Sequence, residues 1–237
     1  MQSIEPFGWI HLMPLFRGAL YTIYICFFSI IFGGILGIAA GLAVTSKNKV
    51  FSLIFNIYIN LLRGIPVLIL VFMIYFAIPI IYPDADLSKG VTAVAALSIY
   101  AGAYIGEIVR GSIQAIPKGQ FEAAQSLGLN YVQEYLYVII PQALRIMIPP
   151  VMGFIIALVK DSSLISVIGY VELTKAGKIV SNLTMEPLPT YISAAAIYFV
   201  ICFGLSKLSV LYENRINNPA TLSRKGNRLA GEGGNLK

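Results

Sequence analysis

Residues 18–44 read GALYTIYICFFSIIFGGILGIAAGLAV, a run of 27 residues without a charged side chain. A helix that crosses the hydrocarbon core of a bilayer needs about 20 predominantly apolar residues, and its backbone must satisfy its hydrogen bonds internally. This run therefore predicts a transmembrane helix and decides the fold class. It is too long for a signal-peptide core, and no basic segment precedes it, so we do not expect it to be cleaved.

The composition of the whole chain agrees with a membrane protein. Of 237 residues, 57% are hydrophobic and 12% are charged, and the mean hydropathy is +0.79. A soluble domain carries about 25% charged residues. The apolar residues fall in long continuous runs, and the alternating pattern of a membrane barrel is absent. We therefore expect an all-α membrane protein.

Five transmembrane helices are predicted. They cover about residues 18–44, 50–82, 91–113, 144–159 and 191–211. The second is interrupted at the sequence Arg63-Gly64-Ile65-Pro66. Residues 1–217 are predicted to form one transmembrane domain, whereas residues 218–237 are polar, lack a helical period and are predicted to be a disordered cytoplasmic tail.

The distribution of basic residues predicts the orientation in the membrane, because cytoplasmic loops carry an excess of Lys and Arg. Eleven of the 17 basic residues fall on one side of five spans: after the first span, between the third and fourth, and at or after the fifth. We therefore expect the N-terminus outside and the C-terminus in the cytoplasm. The same residues are dispersed along the chain, which argues against a nucleic-acid-binding patch.

Residues 117–141 connect the third and fourth spans on the predicted cytoplasmic side. Residues 120–127 are good helix formers, Pro117 separates them from the third span, and Gly128 suits a C-terminal stop. Apolar side chains recur in this helix at a spacing of three residues and predict one apolar edge. That edge consists of Phe121, Ala124 and Leu127. From spacing alone, the helix is equally consistent with lying on the membrane surface and with docking a partner.

The sequence EAAQSLGLNYVQEYLYVIIP, residues 122–141, resembles the EAA loop in membrane subunits of bacterial ATP-binding-cassette (ABC) importers. The shared pattern is Glu-Ala-Ala, three residues, Gly, nine residues, and an apolar-x-apolar-Pro ending. The matching positions here are Glu122, Ala123, Ala124, Gly128, Val138, Ile140 and Pro141. Four further segments resemble the polar amino acid permease family, and the likeness covers about residues 18–215. These segments are LLRGIPVLI (61–69), AYIGEIVRGSIQAIPKGQ (103–120), IIPQALRIMIPP (139–150) and LVKDSSL (158–164).

The resemblance implies a type I importer permease fold in a bacterial inner membrane. It further implies two ATPase subunits, a second permease subunit that is identical or related, an extracytoplasmic substrate-binding protein and a polar amino acid as substrate. The EAA helix would dock into the ATPase, with Glu122 offering charge, Ala123 and Ala124 allowing close approach, and Gly128 turning the chain.

The chain itself contains no G-x-x-x-x-G-K-[ST] loop. Because that loop is the usual phosphate cradle of such ATPases, ATP and Mg²⁺ are expected on the partner ATPase. We expect the chain to bind no cofactor and to be a transport subunit, with no enzymatic activity of its own.

Two other classes of protein are the alternatives, an intramembrane enzyme and a channel or structural scaffold. An intramembrane metalloprotease of the H-E-x-x-H type is excluded because His11 is the single histidine. The aspartates Asp84 and Asp86 fall in a predicted outside loop, which argues against an aspartyl pair in the membrane. A channel or a structural scaffold is supported by helix-packing glycines, which a transporter explains equally well. Those glycines are Gly33, Gly37 and Gly41 in the first span and Gly102 and Gly106 in the third.

Charged residues at membrane depth are costly and mark candidate pathways. Glu107 and Arg110 are three residues apart on the third span and are predicted to form a structural ion pair. Arg63 lies beside the predicted helix break, where freed backbone groups could line a cavity. The alternative is an interfacial helix over residues 50–62, which would place Arg63 at the membrane surface.

The fourth span ends in charged and hydroxyl residues that match the chemistry of an amino acid. Lys160, Asp161 and Ser163, together with Arg63, are predicted to line the substrate pathway. An amino acid carboxylate binds a guanidinium or an ammonium, and its amine binds a carboxylate. The alternative is that the adjacent charges Lys160 and Asp161 only cap the membrane end of this span.

One position departs from the resembled family. Relatives commonly have a polar pair, often Asn followed by Glu or Gln, where this chain has Gly153 and Phe154. A substrate contact made there in relatives is therefore in doubt here. Either this subunit prefers a different amino acid, or its partner subunit supplies the contact.

Overall fold

The structure is a computed structural model that describes residues 6–81 and 88–217, with side chains described up to residue 214. The described secondary structure is helical throughout. Its helices are α1 (Leu12–Val44, after a 3-10 turn at Trp9–His11), α2 (Lys49–Gly64), α3 (Val67–Ile81), α4 (Lys89–Gln114), α5 (Lys118–Ser126), α6 (Tyr131–Gln133, followed by a π-helical segment at Glu134–Ile139), α7 (Ile140–Asp161, followed by a 3-10 segment at Ser162–Ile168), α8 (Leu173–Thr184) and α9 (Pro187–Asn217). The tail predicted at 218–237 and the residues Asp84 and Asp86 lie outside the described residues.

Four continuous helical stretches in the described chain are long and apolar enough to cross a membrane. They are Trp9–Val44, Lys89–Gln114, Tyr131–Ile168 and Pro187–Asn214. The pair α2–α3 makes a fifth span if its two helices, bent by 108°, are counted together. The predicted all-α membrane fold is confirmed, and the fourth span is longer than predicted because helix continues on both sides of residues 144–159.

The predicted interruption of the second span is confirmed. Helix α2 ends at Gly64, and Ile65 has extended backbone angles of φ −101° and ψ 132°. Pro66 explains both facts, because its ring disfavours α-helical geometry in the preceding residue and it has no N–H to donate. Arg63 therefore lies in the last turn of α2, directly before the bend.

Helices α1 and α4 form the most extensive contact in the fold, and glycines allow it. A Cβ atom added at Gly33 would lie 2.6 Å from the Ala101 Cβ and 2.8 Å from the Ser98 carbonyl oxygen. At Gly37 the nearest atom, the Ile105 Cβ, would lie at 2.7 Å. The glycines of the predicted packing motif therefore bring two helices of the same chain into backbone contact.

Helix α8 lies between the predicted fourth and fifth spans, a segment for which the sequence analysis predicts no helix. Its buried positions recur with helical spacing and face α1 and α9. They are Leu173, Ala176, Gly177, Val180, Ser181 and Thr184. The carboxylate of Glu172 caps this helix by accepting from the N–H groups of Thr174 at 2.9 Å and Lys175 at 2.7 Å.

Candidate functional site

Helix α5 holds the first group of predicted site residues. Glu122 and Ala123 are exposed, whereas Ala124 is 2% exposed. The small side chain of Ala124 therefore serves packing within this chain, and Ala123 is the alanine that remains open to a partner. The predicted apolar edge is only partly correct, since Leu127 is 80% exposed.

A left-handed glycine terminates α5. Gly128 has φ +74°, a conformation that only glycine adopts without strain. The N–H groups of Leu127, Gly128 and Leu129 donate to carbonyl oxygens of the last turn at 3.1, 2.9 and 3.2 Å. These bonds satisfy carbonyls that would otherwise have no partner at the helix end. The sharp turn expected at Gly128 is thus present.

Helix α5 is attached to the π-helical segment that begins the next span. The Gln125 amide donates to the Glu134 carboxylate at 3.3 Å, and Glu134 is 5% exposed. The rings of Phe121 and Tyr135 meet edge to face with centroids 6.5 Å apart. Pro141 is the second residue of α7 and follows directly on the π-helical segment. The motif residues therefore belong to one packed unit with an exposed outer face.

A charged cluster joins α2 to α4 inside the predicted membrane region. The predicted pair is present: Arg110 donates through Nη2 to Glu107 Oε1 at 2.5 Å and through Nε to Oε2 at 2.7 Å. Arg63 Nη1 lies 3.3 Å from the same Glu107 Oε1. The contact between Arg63 and Glu107 was not predicted, because no local spacing relates two residues on different helices.

Aromatic rings connect this charged cluster to Asp161. The Arg63 guanidinium lies 5.7 Å from the centroid of the Tyr104 ring, and Tyr104 stacks on Phe154 at 5.2 Å with an interplanar angle of 14°. Tyr100 contacts both rings, and its hydroxyl donates to Asp161 Oδ2 at 3.2 Å. The fold thus brings Arg63 and Asp161 to the two ends of one aromatic cluster. Phe154 is part of it.

Lys160 lies apart from this cluster. It lines a groove of about 540 Å³ between α7 and α9, with Tyr198, Cys202 and Ser206 among the opposite wall. Among the described side chains, the two ion pairs both involve Glu107, so neither Lys160 nor Asp161 belongs to one. Ser163 is half-buried in the following 3-10 segment. The predicted pathway residues therefore do not share one surface. Arg63 and Asp161 lie at the aromatic cluster, whereas Lys160 lies in the groove between α7 and α9.

The chain is thus a helical membrane domain with an exposed helix between two of its spans. Residues 33–218 match the family described as the binding-protein-dependent transport system inner membrane component. The chain belongs to this family.

Two relatives are amino acid transport permease proteins that the match covers over most of their length. The chain is 39% identical over 206 residues to the L-cystine transport system permease protein TcyB of Bacillus subtilis strain 168, a match covering 86% of this chain and 87% of the relative. It is 35% identical over 214 residues to the glutamine transport system permease protein GlnP of Escherichia coli strain K12, covering 89% and 98%.

Solved structures share the fold. A chain from the crystal structure of an amino acid ABC transporter with histidines is 32% identical, with a TM-score of 0.81, covering 89% of this chain and all of that one. A chain of the MetNI methionine ABC transporter in an inward-facing conformation gives a TM-score of 0.70 at 22% identity, covering 86% and 99%. The predicted permease fold is therefore confirmed.

Proposed function

We propose that this chain is the permease subunit of an ATP-driven importer that moves an amino acid into the cytoplasm across a bacterial inner membrane. Membership of the family and the names of relatives that transport cystine and glutamine support an amino acid as substrate. The observation that carries the proposal is the exposed face of α5, bearing Glu122 and Ala123, on a helix fixed by packing to the span that follows it.

The proposal includes the orientation and the partners. Helix α5 faces the cytoplasm, where it docks on one of two ATPase subunits that bind ATP and Mg²⁺, and an extracytoplasmic binding protein delivers the substrate. A second permease subunit completes the pathway. Support for that subunit comes from Arg63 and Glu107, whose side chains are 37% and 24% exposed in the single chain. Charges at membrane depth need such cover because lipid cannot solvate them.

The cluster around Tyr104 is proposed as the substrate-binding region of this subunit. Arg63 faces the substrate carboxylate, and Asp161, of which one oxygen accepts from Tyr100, faces the amine. Lys160 and Ser163 would act from the adjoining surface of α7. A Cβ at Gly153 would meet no side chain or backbone of another element within 4 Å, so the glycine leaves open space on this face of α7 for a substrate side chain.

Charge reversal on α5 tests the ATPase coupling. Glu122→Arg is expected to abolish co-purification of the ATPase with the tagged full-length chain, or to abolish substrate-stimulated ATP hydrolysis. Glu213→Arg makes the same reversal on α9, away from α5, and should preserve both properties. If Glu122→Arg couples as well as wild type, Glu122 does not contribute the proposed charge. If the wild-type chain binds no ATPase, the proposed function itself is wrong.

Charge removal in the membrane cluster tests substrate recognition. Losing one partner of a desolvated charge contact costs about 2–5 kcal/mol, so Arg63→Gln should lower transport of the preferred amino acid more than tenfold. Asp161→Asn should act similarly through the amine, and Arg145→Gln, at an exposed position, serves as the matched control. Glu107 retains Arg110 in the Arg63 variant, so assembly and basal ATP hydrolysis should persist.

The same variants separate a substrate role from a structural role. A purely structural Arg63 would show itself as lost expression or lost subunit assembly. A stable Arg63→Gln complex that transports a full panel of amino acids at wild-type rates would exclude the substrate role.

A further inference from the structure

A second groove lies where α1 ends and α7 begins. Asp161, in the proposed substrate cluster, is at the other end of α7. We call this groove the α1–α7 groove. Its volume is about 400 Å³, and its walls are almost entirely apolar. The wall residues include Leu42, Phe51, Tyr131, Tyr135, Leu136 and Ile140. The groove is lined neither by residues of α5 nor by the Arg63 cluster.

Tertiary hydrogen bonds hold the walls of the groove in place. The Tyr135 hydroxyl donates to the Thr45 carbonyl oxygen at 3.4 Å and ties the π-helical segment to the end of α1. The Ser52 hydroxyl donates to the Val44 carbonyl oxygen at 2.8 Å and ties the start of α2 to the same place. The α1–α2 corner and the distant segment 131–140 thus build a preformed apolar cleft.

A lysine lies against one wall of the groove. The Lys47 ammonium lies 5.2 Å from the centroid of the Tyr131 ring, which is itself a wall of the groove. Lys49 stands two residues further on, and both lysines are exposed. The apolar side of the groove continues into exposed side chains, with Val132 68% and Leu136 53% exposed. This combination places the groove at a boundary between water and hydrocarbon.

We propose that the α1–α7 groove binds an anionic phospholipid, with an acyl chain along the apolar walls and the phosphate against Lys47 and Lys49. Clusters of Lys and Arg at membrane-proximal ends of helices attract anionic lipid headgroups, and an acyl chain complements a mainly apolar cleft. A water-soluble protein surface fits less well, because it would bring polar groups against walls that offer few hydrogen-bond partners. Tyr131 and Tyr135 line the groove, and Tyr135 also packs against Phe121 of α5. A lipid bound in the groove would therefore contact the segment that holds α5 in place.

Native mass spectrometry of the full-length chain, purified with its bound subunits, tests this proposal. The protein is titrated with phosphatidylglycerol and with phosphatidylcholine of the same acyl chains. Wild type should retain phosphatidylglycerol preferentially. Lys47→Gln and Lys49→Gln should each weaken that binding about fivefold, and the double variant about 25-fold. Lys207→Gln is the matched control. Lys207 is an exposed lysine that lies 5.2 Å from the centroid of the Phe203 ring, on α9 and outside this groove. Its substitution should change phosphatidylglycerol binding less than twofold.

A groove-filling variant tests the acyl-chain half of the proposal. Ala43→Phe places a ring among the walls and should abolish retention of both lipids at this site. Equal retention of the two lipids by wild type, or unchanged phosphatidylglycerol binding in the double lysine variant, would overturn the proposal. Protection of the groove by a protein subunit, with no retained lipid, would overturn it as well. Each of these outcomes is independent of whether the complex transports amino acids.

Discussion

Replacing Gly33 by alanine tests the packing on which the whole fold depends. The new Cβ would lie 2.6 Å from the Ala101 Cβ and 2.8 Å from the Ser98 carbonyl oxygen, whereas carbon atoms in contact prefer about 3.5–4.0 Å. Because the second atom belongs to backbone, no side-chain rotation relieves the overlap, and α1 and α4 must move apart. Gly34 is the matched control, since a Cβ there meets no described atom within 4 Å.

The pair of variants isolates the cost of the overlap. Both replace a helical glycine and gain about 1 kcal/mol of helix propensity, which cancels in the comparison. What remains is the cost of overpacking, about 1–3 kcal/mol. For a protein of this size each kcal/mol shifts the melting temperature by about 2–4 °C. The Gly33→Ala protein should therefore melt about 2–12 °C below the Gly34→Ala protein.

A thiol-reactive dye can report this melting temperature in detergent. Cys26 is 3% exposed within the same core and becomes reactive only on unfolding, while a Cys202→Ser background removes the half-buried second thiol. The two variants should differ in the melting temperature of the Cys26 signal. Equal melting temperatures, or a higher value for Gly33→Ala, would refute the close approach of α1 and α4.

Three further predictions concern the orientation, the coupling turn and pH. A cysteine at Ser88 should react with an impermeant reagent added outside and one at Gln133 only from the cytoplasm; labelling of both from one side would contradict the orientation. Gly128→Val, which strains a backbone at φ +74° by at least about 1 kcal/mol, should impair coupled ATP hydrolysis, whereas Gly204→Val, at an uncrowded position on α9, should not. Burial raises the pKa of the Glu172 carboxyl, so the folded state holds its proton more tightly than the unfolded state. Stability should therefore fall as the pH rises from about 4.5 through the raised pKa, and Glu172→Gln should flatten that fall; a profile that Glu172→Gln leaves unchanged would contradict this assignment.

The sequence predicted the features that depend on local chemistry. Predominantly apolar runs of transmembrane length predicted the spans, since lipid leaves the backbone few alternatives to helix. Pro66 predicted the break after α2, and the spacing around Gly128 predicted the end of α5. Each of these signals is contained within a few residues, and each is confirmed by the structure.

The features that the sequence left open depend on contacts between distant segments. No sequence spacing predicts the contact of Arg63 with Glu107 or that of Phe154 with Tyr104, because each pair lies on two different helices. Lys160 and Asp161 point to different neighbours because consecutive helical residues are turned by about 100°, so that Lys160 faces α9 and Asp161 faces α4. Helix α8 is not predicted from the sequence, although its buried residues recur with helical period, because it is shorter and more polar than a transmembrane span.

ATP-dependent uptake by the reconstituted complex tests the central claim most directly. Proteoliposomes would contain the chain with its co-purified ATPase, and the binding protein and a panel of labelled amino acids would be supplied on the opposite side. We expect accumulation of one amino acid class only when ATP is present on the side of α5, and we expect Glu122→Arg to abolish it. Uptake that proceeds equally without ATP, or that does not respond to the Glu122 substitution, would contradict a permease driven through α5.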